Sequence, residues 1–128
     1  MPGNQTEPTA WLQIARRDLA KARKDILSDD IPYAVVNLQQ ATEKVLKAAL
    51  LRSGWPLAKI HDCAALANEL TARGTDLAWF VETAAILRDE YFAERYPGWS
   101  GEAGATRPEA EQYFEAVTRL FDQLFPEL

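Results

Sequence analysis

The sequence has one cysteine and one histidine, Cys63 and His61. A lone thiol permits no internal disulfide, and metal sites built on several thiolates or on paired imidazoles cannot be assembled within one chain. No apolar run approaches the roughly 18 residues that a membrane-crossing helix needs. Residues 1–10 are polar and contain proline, without the basic segment, apolar stretch and cleavage site of an export signal. A surplus of positive charge is missing too: 14 Lys and Arg stand against 19 Asp and Glu, a formal net charge of −5. Broad binding to phosphate backbones works by counterion release from a basic surface, so RNA is a less favoured partner. There is no Gly-rich phosphate loop, His-Glu-x-x-His pair, nucleophile elbow or CxxC. Together these absences lead us to expect a soluble cytoplasmic protein with no membrane segment, metal or cofactor.

What is present is ordinary globular usage, 48% hydrophobic and 26% charged over 128 residues, enough for one core and one domain. Residues 1–10 read as a polar tail and 11–128 as the domain. Five segments carry helical periodicity and none alternates as a strand does, so the fold class is all-α, an up-and-down bundle of about five helices. In the first, Trp11, Ile14, Ala15, Leu19, Ala22 and Ile26 form a stripe. Ser28, Asp29 and Asp30 supply capping oxygens before Pro32 opens the second helix, which runs from Ile31 to about Ser53. That helix is apolar on more than one side, which marks it as central; Gly54 and Pro56 stop it. The third begins near His61 and Asp62 and closes at Gly74. Thr75 and Asp76 can cap the fourth, with Leu77, Phe80, Val81, Ala84, Leu87 and Tyr91 in period. Residues 98–107 read as a mobile loop, and Pro108 opens the fifth. Basic residues crowd the first helix at Arg16, Arg17, Lys21, Arg23 and Lys24, a pattern that most often marks a solvated face.

Polar residues on a central helix carry more information than those on a surface one. Gln40, Glu43, Lys44 and Lys47 are three or four apart and lie along one side. The plain reading is a Glu43–Lys47 pair with Gln40 filling a half-exposed groove. The sharper one has Lys44 and its neighbours facing a groove between helices, where bundles hold ligands. His61 either caps or packs at the third helix, or titrates near neutrality and donates to a phosphate. Arg88, Tyr91 and Arg95 share a face of the fourth helix, followed by Tyr96.

The order of these motifs resembles a known family. Ala15 to Ala22 (Ala-Arg-Arg-Asp-Leu-Ala-Lys-Ala) is followed by Pro32-Tyr33-Ala34 and then by Leu38 to Ala48 (Leu-Gln-Gln-Ala-Thr-Glu-Lys-Val-Leu-Lys-Ala). His61-Asp62 and Arg95-Tyr96-Pro97 complete the series. Together they resemble the HEPN domain, named for higher eukaryotes and prokaryotes nucleotide-binding, over nearly the whole stretch from Trp11 to Phe125. The resemblance implies a helical bundle, usually a homodimer, similar to the helical domain of kanamycin nucleotidyltransferase. It also implies a minimal nucleotidyltransferase as partner, in a toxin–antitoxin pair, and an ATP-like nucleotide as ligand. The residues that would serve it are Gln40, Glu43, Lys44, His61, Arg88, Tyr91, Arg95 and Tyr96. Many members are metal-independent ribonucleases with an Arg-x4-6-His motif, two copies of which meet across the dimer. This sequence departs from that motif: the nearest arginine before His61 is Arg52, eight intervening residues away, with Gly54 and Pro56 between. The expectation therefore leans away from an enzyme. A ribonuclease toxin with a non-standard site, in which Arg88 or Arg95 approaches His61 in space, and a purely structural interaction domain are the alternatives.

Overall fold

The computed structural model describes residues 7–56, 60–95 and 104–127, the side chains of 92–95 excepted. Five helices follow one another: α1 (Pro8–Leu27), α2 (Ile31–Arg52), α3 (Cys63–Ala72), α4 (Ala78–Arg95) and α5 (Arg107–Leu124). Among the described residues there is no strand. The fold is all-α, as the periodicity predicts, and no described helix is long and apolar enough to cross a membrane.

The central role of α2 follows from its composition. Fourteen of its 22 residues are buried, and it packs against each of the other four helices. Its own hairpin partner is α1, antiparallel to it, with Asn37 donating to Asp25 at 2.7 Å near the turn and Lys44 reaching Asp18 further along. The segment after Gly54 carries the chain back beside α2, so Cys63 at the start of α3 lies against Gln39. From there α4 returns antiparallel to α3, and α5 runs antiparallel to α1, as the Arg16–Phe121 and Asp29–Arg107 contacts together show.

Turn chemistry explains most helix ends. Gly54 and Gly74 adopt φ of +92° and +104°, the left-handed backbone that ends a helix without a Cβ penalty. Asp62 caps α3 by accepting from the N–H groups of Ala64 and Ala65, and Asp76 accepts from Ala78 ahead of α4. At α5, Thr106 and Glu109 form a reciprocal capping box. Several expectations need correcting. Asp30 occupies the N-cap of α2, but its side chain makes no capping bond; the tight turn is made instead by Asp29 at a φ of +59°. In α1 the buried stripe is Leu12, Ala15, Asp18, Ala22 and Ile26, and Ile14 points outward at 39% exposure. The reason is that α1 needs one face only, and the row through Leu12 holds the small alanines that let α2 approach. Helix also begins earlier than the sequence suggests at both ends: Pro8 opens α1 and Arg107 opens α5. The rest of the expected loop, apart from residues 104–106, lies outside the described residues.

Because Glu109 accepts from the backbone N–H and hydroxyl of Thr106, its carboxyl is held below the ordinary value. A depressed carboxylate stabilises the fold above its unfolded value, and that share is lost as pH falls through the folded one. Thr106→Ala is therefore expected to cost about 1 kcal/mol at neutral pH. The penalty should shrink when unfolding is measured in acid, below the usual carboxylate range.

Candidate functional site

Two side chains, Lys47 and His61, meet at one buried carboxylate of α2. Glu43, buried in α2, accepts from the Lys47 ammonium at 3.0 Å one turn along the same helix and from His61 Nδ1 at 2.9 Å. Lys47 is almost wholly enclosed and lies 5.5 Å from the centre of the Trp11 ring on α1, so a carboxylate and an aromatic face together replace its water. An ionised carboxylate can only accept, so Nδ1 of His61 carries its proton and Nε2 is left for other partners. The His61 side chain is 73% exposed, and its free edge faces solvent at the start of α3.

Beside it, Asp62 caps α3 through one oxygen and accepts from Arg88 of α4 at 3.1 Å through the other. Arg88 also binds Asp89 at 3.2 Å. These two acids, Asp89 first, hold the guanidinium still more firmly protonated than usual. Below the rim, Cys63 lies buried against Gln39, whose amide nitrogen approaches Sγ at 3.6 Å. Burial, and then the negative charge of Glu43, push the thiol up, which leaves it neutral and unreactive. Among the described residues no group of His, Cys, Asp and Glu is arranged to hold a metal ion.

Of the residues singled out from the sequence, the structure brings Glu43 and His61 into contact and binds Arg88 to Asp62, the residue after His61. Glu43 pairs with Lys47, and half-buried Gln40 donates to Gln39 at 2.9 Å. Lys44 turns the other way, onto Asp18 of α1 at 2.6 Å. Tyr91 is half-buried on α4; the side chain of Arg95 and the whole of Tyr96 lie outside the described residues. Asp18 is not among the residues that the sequence reading singles out. Its signal is its place three residues after Ala15 and four before Ala22, which puts an acid on the buried face of α1, where it requires a cation. A separate cleft of about 220 Å³ opens where α2, α3 and α5 end, lined by Arg52, Ser53, Arg73, Thr75 and Gln123 among others. Its two arginines are engaged by Glu127 and Glu69.

The HEPN domain profile matches residues 9–125. The chain belongs to the HEPN domain family. Among solved structures it is similar to TT1696 from Thermus thermophilus, at 28% identity and a TM-score of 0.81, over 94% of this chain and 98% of that one. It also shares its fold with ST0689, an archaeal HEPN homologue, at 20% identity and a TM-score of 0.74, over 94% and 97% of the two chains. None of the curated proteins matches. Within this HEPN domain Arg52 does not reach His61: it closes the end of α5, binding the Leu124 carbonyl and Glu127 and stacking 4.1 Å over Phe125. Among the described residues, Arg88 of α4 binds Asp62, the residue next to His61 in the chain.

Removing Lys47 leaves Glu43 buried with only the exposed imidazole as partner. Lys47→Ala is expected to lower stability by about 3 kcal/mol in urea unfolding. The double change Glu43→Leu, Lys47→Met should recover most of that loss, because it removes both buried charges and keeps their volume.

Proposed function

We propose that this HEPN domain is a nucleotide-binding module that works as a homodimer. Its partner in this reading is a separate minimal nucleotidyltransferase, in a pair of the toxin–antitoxin kind. The observation that carries the proposal is the imidazole of His61, oriented from behind by the buried Glu43–Lys47 pair and open to solvent at Nε2. A protonated His61 offers Nε2–H to a phosphate oxygen, and the adjoining Arg88 offers a planar guanidinium that is 33% exposed and suited to the same group. One turn along α4, the ring of Tyr91 is a candidate platform for a base. Arg95 and Tyr96, later in the sequence, are proposed to serve the same ligand. Lys44, paired with Asp18, stays a candidate for phosphate contact alongside His61 and Arg88, which is itself paired with Asp62 and Asp89.

The same orientation favours one second reading. In its neutral form Nε2 is a base facing solvent, with an arginine nearby to meet negative charge on a phosphate, which is the pairing that metal-free RNA cleavage requires.

Calorimetric titration with ATP is expected to show saturable binding that His61→Ala and Arg88→Ala each weaken at least tenfold, with melting temperatures close to the parent's. Titrations without heat for any nucleotide would sink this reading and leave a protein as the occupant of the rim, to be sought by pull-down. RNA incubated with the purified protein and a chelator separates the alternative. Cleavage that His61→Ala abolishes supports a ribonuclease, and intact RNA across a range of pH rejects it.

A further inference from the structure

The buried pair behind His61 decides which ring nitrogen holds a proton. A neutral imidazole in water exchanges between two tautomers and can offer an N–H from either nitrogen. In this chain Nδ1 lies 2.9 Å from Oε2 of Glu43, and an ionised carboxylate only accepts. Lys47, buried 3.0 Å from the same oxygen, supplies the counter-charge that a buried carboxylate requires. Nδ1 therefore keeps its hydrogen whether the ring is neutral or charged. The consequence falls on Nε2, at the exposed edge of the ring. In neutral His61 it is a bare lone pair, and only a second proton makes it a donor. A fully ionised phosphate has acceptors alone, so it meets that lone pair with repulsion instead of a hydrogen bond.

Neighbouring charge does not replace that proton. Arg88 of α4 donates through Nε to Asp89 and through Nη1 to Asp62, so two aspartates answer one guanidinium. Glu43 and Lys47 offset each other. Among the described residues this leaves one acid in excess around a neutral His61, with Glu43, Asp62 and Asp89 against Lys47 and Arg88, and a balance around a protonated one. The charges next along the same elements are turned to other partners. Lys44 and Lys21 sit 2.6 and 4.0 Å from the Asp18 carboxylate of α1, and Glu90 lies toward Tyr113 of α5. The second proton on His61 thus both creates the donor and removes the excess negative charge.

We propose that this rim is proton-gated: a phosphate group binds only to protonated His61, and binding in alkaline solution draws one proton from the solvent. Affinity is full below the ordinary imidazole range, about pH 6.5, and is lost as pH rises above it. The inference rests on the nucleotide-binding reading above and adds the control of that site. It also sets the two readings apart, since phosphate binding needs a proton on Nε2 and base-catalysed RNA cleavage needs that nitrogen bare.

His61 is the one histidine of the chain, so its two nitrogens give a single histidine signature in nitrogen-15 NMR. Without ligand at pH 8.5 the shifts should report hydrogen on Nδ1 alone, and saturation with ATP at pH 7.5 should protonate both nitrogens. Calorimetry with ATP from pH 7.5 to 8.5 stays above the second ionisation of a phosphate ester, at about pH 6. Over that interval affinity is expected to fall about fivefold to tenfold, and buffers of different ionisation enthalpy should show close to one proton taken up per ATP at pH 7.5. The double change Glu43→Leu, Lys47→Met frees the ring to carry its hydrogen on Nε2, so its affinity should change less than about threefold. ATP binding by the parent chain that is flat over this interval, without proton uptake, would overturn the gate and leave the nucleotide site standing. A pH dependence kept in full by the double variant would overturn the part given to Glu43, and with it the gate. Absence of ATP binding from pH 5.5 upward would overturn the gate and the nucleotide reading together.

Discussion

A carboxylate at the centre of a helix that is covered on most sides has to be answered from several directions at once. Glu43 is answered by Lys47 along its own helix and by His61 from the segment before α3, while Lys47 is closed over by Trp11 of α1. One turn away, Lys44 and Asp18 bind α1 to α2 a second time. Such pairs contribute little net stability, since removing charge from water costs about as much as their attraction returns. Their effect is on choice: a shift of α1 or α3 by one turn along α2 strands a buried charge, so the competing registers are penalised. The packing of three helices and the aim of the one histidine are in this sense a single arrangement.

The helices themselves are legible in the sequence because each obeys one dominant constraint. A stripe at three- and four-residue steps cannot be buried as a strand, and Gly54, Gly74 and the prolines near helix starts mark boundaries that the backbone has to respect. The family resemblance rests on the same central stretch, and the profile match over residues 9–125 agrees with it. Detail is lost where two solutions satisfy the same pattern. Ile14 and Leu12 both continue the α1 period, and only the approach of α2 selects Leu12. The candidate site is legible in part for the same reason. Spacing along α2 shows that Glu43 and Lys47 can meet, but the third member arrives from a segment eighteen residues away. Lys44 and Lys47 look alike in sequence and part company in space, one toward Asp18 and one toward Glu43. Arg88 approaches the histidine only through Asp62, a capping residue whose second oxygen has no signature in the local pattern.

Arg52 shows how far a motif can travel from the task it suggests. As the arginine nearest before His61 it is the natural candidate for a partner in chemistry, yet Gly54 turns the chain away and its guanidinium satisfies the Leu124 carbonyl at the end of α5. Cations at a helix C-terminus meet the negative end of its dipole and the carbonyls left without partners. Among the described residues, basic side chains thus serve inside the core, as Lys47 does, at a helix end, as Arg52 does, and along the surface of α1.

The reach of that clamp has a consequence for synthesis. Arg52 and Glu127 stand 75 positions apart, and α5 is the element that closes one flank of α2. At roughly 5–20 residues per second, the ribosome delivers α5 some seconds after α2 has emerged. During that interval the α1–α2 hairpin can form from local contacts, while apolar side chains of α2 meant for α5 remain open to water and to chaperones. The vulnerable period of this small bundle is thus set by the order in which its helices are made rather than by the stability of the finished fold.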